Sequence, residues 1–259
     1  MAESRRAAGR TRLRTWGAAG VTGAAAALLA ACSSATPQDL HIPVTTTASA
    51  GNAHTVSLTA GGRTRASLDV LSGTTVLTIG TASFGPGGSL LTVTTPAGTP
   101  VPTLSESDPD GSGNGTLVDL TAPNAPAVTV TLNADVSWQI NLDGGASRTD
   151  VDLSGGQLSG ISFNAGSSLV TLALPRPHGS VPVAMVGGAS AFQLSLPAGV
   201  PARVTAAGGA SEVSLEGQRH TGVAGGSVFT TVGWTPGVTG FDIDATAGVS
   251  QITVTARPS

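Results

Sequence analysis

The chain has 259 residues, 36 Gly and 16 Pro, only 10% charged and 3% aromatic, with a formal net charge of −3. It contains no Tyr and no Lys, so all 12 basic residues are Arg, and Cys occurs once. These absences exclude a P-loop lysine, a Schiff-base lysine, an internal disulfide, a Cys-rich zinc site and an iron–sulfur cluster.

The chain begins as an export signal. Arg5, Arg6, Arg10, Arg12 and Arg14 form a basic head, and residues 16–31 carry no charge. That apolar stretch is dominated by Gly and Ala. It is shorter than the roughly 20 residues that a bilayer span requires. Leu29-Ala30-Ala31-Cys32 follows, with small residues where a signal is cut. This order resembles the lipobox of bacterial lipoproteins. The resemblance implies cleavage before Cys32, acylation of its thiol (palmitate among the chains), and a lipid anchor on the outer face of the cytoplasmic membrane. Ser4-Arg5-Arg6 hints at twin-arginine export without the rest of that signature. Five Arg and Glu3 lie within residues 1–31, so their removal takes the charge from −3 to −7. An acidic surface repels phosphate backbones, so nucleic acid is not an expected partner. The lack of Lys suits a high-GC genome such as an actinobacterium's.

Residues 32–52, rich in Ser, Thr, Ala and Pro, read as a tether. From 53 to 135 strand-like runs appear at Thr64–Leu71, Thr74–Thr81, Ser89–Thr95, Leu117–Thr121 and Ala127–Leu132, with Val136–Leu142 next. This β-rich region is either a degenerate part of the array that follows or a separate layer. Between its strands, Glu106-Ser-Asp108-Pro-Asp110-Gly111 resembles the start of a calcium loop, and Asp119 falls at position twelve counted from Asp108. Gly111 and Gly113 depart from the ligand spacing, and an exposed acidic hairpin tip is the favoured reading of the run. Asp108, Asp110 and Asp119 are thus a calcium candidate only, and no cofactor is expected.

Residues 136–259 carry an internal repeat. Gly144-Gly145-Ala146-Ser147 recurs at 187–190 and 208–211, with weaker copies at Ala165-Gly166-Ser167-Ser168 and Ala247-Gly248-Val249-Ser250. After each final Ser, apolar residues fall at +2, +4 and +6, as in Val170, Leu172 and Leu174 or Phe192, Leu194 and Leu196. Alternation of this kind is a strand with one buried face. A period of about 21 residues with two strands and two Gly corners fits one coil of a β-solenoid, glycine supplying positive φ at the corners. The expected fold is therefore all-β, with a β-solenoid in the C-terminal half; a β-sandwich of hairpins with Gly-Gly turns is the alternative. Pro182 and Pro201 share a phase, which suits an edge. Trp138 and Trp234 flank the array and either close its ends or pack in its core.

The candidate chemistry is sparse. His41, His54, His178 and His220 show no metal-ligand spacing. Asp150/Asp152 and Asp242/Asp244 each lie two apart on a strand, where paired carboxylates could serve glycan cleavage or merely solvate a face. Arg176 and His178 sit at +8 and +10 of one repeat, Arg219 and His220 at +8 and +9 of another. In stacked coils they would line one cationic edge, two rungs and about 10 Å apart, suited to an anionic glycan or headgroup.

The Gly-Gly-Ala-Ser, strand, Leu-Pro, strand rhythm over residues 136–259, with Gly233-Trp234 and Phe241-Asp242-Ile243-Asp244 closing it, resembles adhesin-like β-solenoid domains of bacterial envelope proteins. It is also similar to the C-terminal domains of cell-wall-antibiotic-response proteins. The resemblance implies a non-enzymatic surface scaffold, adhesion module or envelope-stress binding module, with cell-wall glycan or an envelope protein as partner and no catalytic residues. A glycan-active β-helix enzyme is the competing expectation.

Overall fold

The computed structural model describes residues 45–48, 53–108 and 116–257. The signal, Cys32 and Asp110 lie outside them. Twenty strands occur among the described residues. They are β1 (Thr45–Ala48), β2 (His54–Thr59), β3 (Arg65–Val70), β4 (Thr74–Ala82), β5 (Ser89–Thr95), β6 (Thr103–Ser107), β7 (Leu117–Thr121), β8 (Ala127–Asn133), β9 (Ser137–Leu142) and β10 (Ala146–Asp152). Then come β11 (Gln157–Phe163), β12 (Ser167–Ala173), β13 (Ser180–Met185), β14 (Ala189–Pro197), β15 (Ala202–Ala206), β16 (Ala210–Leu215), β17 (Gln218–Val223), β18 (Ser227–Thr230), β19 (Gly240–Ala245) and β20 (Val249–Arg257).

The fold is all-β, in two mixed sheets that remain open. The first sheet has eleven strands in the order β1-β2-β5-β8-β4-β10-β12-β14-β20-β16-β17. The second has nine, β18-β15-β19-β13-β11-β9-β3-β7-β6. Seven strand pairs run through both sheets in one spatial order: β7–β8, β3–β4, β9–β10, β11–β12, β13–β14, β19–β20, β15–β16. Each pair contributes one strand to each sheet, and neighbours pair in parallel. Strands of residues 53–135 and 136–259 are thus built into the same two sheets. Antiparallel strands close both ends, β1, β2, β5 and β6 at one and β17 and β18 at the other. They cover the edges of the parallel array, and β1, β17, β18 and β6 become the outermost strands of the two sheets. Residues 45–48, assigned to the tether from sequence, include a strand paired with β2.

The repeat is present in the register. Ala146 pairs with Ser167 and Ser167 with Ala189, each step joining equivalent positions of successive copies. The strands flanking each Gly-Gly lie in different sheets, so these steps are not hairpin turns. Most of the expected inward positions are buried: Val170, Leu172, Leu174, Phe192 and Ile252 are each 0% exposed, whereas Gly217 and Ala256, at +6 of the last two copies, are exposed. One core takes side chains from both sheets. Within it Phe163 of β11 meets Phe192 of β14 edge to face, with centroids 5.6 Å apart, an arrangement that aromatic quadrupoles favour. One outward row is wholly polar. The registers align Thr55, Thr94, Thr129, Thr78, Asp150, Thr171, Gln193, Thr253 and Ser214 in one row across the first sheet.

Four sequence expectations change. The copies do not stack in chain order: β20 lies between β14 and β16, pairing Val249 with Ala189 on one side and with Ala210 on the other. Pro182 is not on an edge, because β13 lies between β11 and β19. Its missing N–H is accommodated because the ladder to β11 begins only at Val183, beside a bulge at Leu158/Gly160. Trp138 closes no end: it is fully buried in β9, between β3 and β11, and donates its indole N–H to the Asn133 carbonyl at 3.0 Å.

The fourth change concerns the corners. Positive φ, which glycine adopts freely, explains only the second glycine at two of them. These are Gly188, with φ 73, and Gly209, with φ 80. The first glycine is required by stacking. A Cβ on Gly144 would sit 2.1 Å from the Ser72 carbonyl oxygen, one on Gly187 would sit 2.1 Å from the Ala165 carbonyl carbon, and one on Gly208 would sit 2.4 Å from that of Ala247. In spatial order the first corner residues are Ser72, Gly144, Ala165, Gly187, Ala247 and Gly208. Residues with and without a Cβ alternate, each glycine seated on the backbone of the corner before it. The order along the chain hides this alternation.

Candidate binding surface

The strand pairs leave two kinds of edge. The glycine corners form a tight one. The opposite turns are longer, and there Arg176, His178 and Arg257 border a groove with Ser154, Gly155, Gly156, Pro197 and Ala198. The β12–β13 turn, built on Pro175 and Pro177, carries Arg176 and His178, both exposed. Arg257 ends β20, in register with Pro197, and reaches across β14 to donate to the Leu174 carbonyl at 3.0 Å. Three cationic or protonatable side chains therefore share this groove.

Arg219 and His220 do not join it. They lie on β17, four strand steps from β12 rather than the two rungs expected. At the usual strand spacing that separation is about 19 Å. Arg219 is paired with Glu212, and His220 stacks on Phe229 with centroids 4.7 Å apart. Arg257, missed from sequence, had a signal: it stands at +7 of the Ser250 copy, close to the +8 phase of Arg176.

The carboxylates face outward or are engaged. Asp150 bonds Arg148 Nε at 2.6 Å, and this raises the Arg148 pKa above its ordinary value. Asp152 accepts from Ser154 N at 3.0 Å, within its own turn. Asp242 holds Arg203 through two bonds, 2.8 Å and 2.5 Å, and this pairing raises the Arg203 pKa. Asp244 is exposed on the same face of β19. The two pairs lie on the outer faces of different sheets. None of the described buried polar residues is an acid.

Of the calcium candidate, Asp110 lies outside the described residues and Asp119 sits on β7, in register with Asp69. Glu106, from the same run, is committed elsewhere: it pairs with Arg63 and accepts from Thr116 Oγ1 at 2.9 Å. Among the described residues no group of three or more His, Cys, Asp or Glu could hold a metal ion.

No family model and no curated protein matches the chain. Among solved structures it is similar to a proposed cell-adhesion protein from Clostridium sporogenes, at TM-score 0.55 and 18% identity, over 78% of this chain and 99% of that one. A proposed adhesin from Bacteroides fragilis is 12% identical over 78% of this chain and 97% of that one, at a TM-score of 0.28, which carries no argument. At so low an identity, the likeness to the Clostridium protein is one of fold: an all-β architecture shared with a protein described by adhesion.

Proposed function

We propose that this chain is a non-enzymatic surface protein that presents a β-solenoid, its seven strand pairs forming the coils, and binds envelope components. The observation that carries the reading is the likeness of fold to the Clostridium cell-adhesion protein, across nearly all of that chain. Support comes from the outward or engaged carboxylates, which leave no inward acidic patch for glycosidic cleavage among the described residues. Cys32 is the proposed lipid anchor, placing the domain outside the cytoplasmic membrane. The groove of Arg176, His178 and Arg257 is the proposed contact for an anionic wall polymer or headgroup. Envelope-stress binding belongs to the same reading.

The test is retention of the full chain by peptidoglycan and membrane fractions of an intact envelope. Binding to either supports the reading, and binding to neither overturns it. Labelled palmitate should enter the wild type and be absent from Cys32→Ala; equal labelling removes the anchor. Double substitution of Arg176 and Arg257 by Ala should abolish retention on dextran sulfate, and unchanged retention removes the groove.

A further inference from the structure

Outside that groove, one cluster combines the groups a sugar ring requires. It lies on the outer face of the second sheet, near its β18 edge. The registers set two rows there: Asp242, Arg203 and Thr230 in one, Asp244, Thr205 and Val228 in the next. Trp234, in the β18–β19 connection, covers the first row, with the Arg203 guanidinium carbon 5.0 Å from its ring centroid. Among the described residues the other Trp is fully buried, and Trp234 is half-buried.

We infer that Trp234, Arg203, Asp244, Thr205 and Thr230 form a site for a neutral pyranose of a surface glycan. An indole offers an apolar face for the C–H side of a pyranose at little cost in conformational freedom. Arg203 is held at both ends, by the bidentate bond to Asp242 and by stacking on Trp234. Its remaining N–H groups are therefore fixed before a ligand arrives. Asp244 carries a second carboxylate beside this pair and accepts from vicinal hydroxyls. Thr205 and Thr230 add hydroxyls from the neighbouring strands, and Val228, 55% exposed, extends the apolar floor. The sign of charge selects the ligand class. Two carboxylates and one guanidinium leave the site net negative, so it disfavours the polyanions that the Arg176 groove would attract.

The site goes beyond the adhesion reading and rests on it only for its outward presentation. The experiment is saturation-transfer NMR and calorimetry of the full chain with cellohexaose, chitohexaose and mannohexaose, beside dextran sulfate. At least one neutral hexasaccharide should bind, and Trp234→Ala should weaken it at least tenfold. Asp244→Asn should weaken it threefold or more, and the Arg176/Arg257 double variant should leave it unchanged. Trp234→Phe should restore most of the affinity. No binding by any of the three sugars, or wild-type affinity in Trp234→Ala, overturns the site. If Trp234→Ala fails to fold, Asp244→Asn and Thr205→Val decide, because both side chains lie outside the core. Neutral-sugar failure with intact envelope retention removes this site alone; loss of all retention removes the adhesion reading.

Discussion

The corner stacking makes a quantitative prediction for Gly187→Ala. The added Cβ would lie 2.1 Å from the Ala165 carbonyl carbon, 2.4 Å from its oxygen and 2.5 Å from Gly166 N. All three are backbone atoms of a neighbouring corner, so no rotamer change relieves the clash. Overpacking of this kind costs about 1–3 kcal/mol. The shift it forces also weakens the bond from Gly187 N to the Phe163 carbonyl, which is 3.0 Å long. That loss adds about 1 kcal/mol. Reduced freedom of the unfolded chain returns about 0.4–1 kcal/mol. The expected net loss is about 2 kcal/mol. Gly179→Ala is the control: a Cβ there meets nothing within 4 Å, and its φ is not positive, so it should be neutral or slightly stabilising. Urea unfolding followed by far-UV circular dichroism measures both. Gly187→Ala should lower the midpoint with little change in slope. Equal midpoints for the two variants would refute the claim that backbone contact, and not turn conformation, selects glycine at this corner.

Other predictions address the core, an end of the array and the acidic run. Phe192→Ala removes a fully buried ring and its edge-to-face contact with Phe163. It should cost about 3–5 kcal/mol in the same unfolding assay. Glu106→Gln leaves Arg63, whose side chain is 8% exposed, without its charge partner. A loss of about 3 kcal/mol is expected, with β6 and the β2–β3 turn the first amides to gain hydrogen exchange. Trp138→Phe leaves the Asn133 carbonyl without its indole donor in the core. That carbonyl keeps the Val136 N–H at 3.3 Å, so the cost should be about 1 kcal/mol, read as a lower melting temperature. Calcium added at millimolar concentration should leave the melting temperature unchanged; a rise that Asp119→Asn abolishes would establish the calcium loop instead.

The strands and their buried faces were legible because period-two alternation is a local property. Each of the runs at 64–71, 74–81, 89–95, 117–121, 127–132 and 136–142 coincides with β3, β4, β5, β7, β8 or β9 to within one residue. The phase that points Val170, Leu172 and Leu174 inward follows from the same pattern. The closing strands were harder to read. β17 (QRHTGV) and the four-residue β18 (SVFT) lie at an end and are largely exposed, so one-sided burial imposes little pattern on them. The candidate groove was half legible: Arg176 and His178 share a turn, whereas Arg257 comes from a strand far along the chain from Leu174, whose carbonyl it bonds.

What sequence could determine alone was composition, the repeat, and the inward phase of most strands, because these depend on neighbours in the chain. Which strand pair stacks on which was decided only in the tertiary structure. β19 and β20, last in the chain, lie one pair in from the end, and β17 and β18 cover that end. The alternation of glycine with alanine or serine at the corners appears only in that inserted order. Its reason is steric: two stacked corners approach until a Cβ on the second would overlap the backbone of the first. The abundance of Gly at these corners is therefore a consequence of close contact between residues distant in sequence.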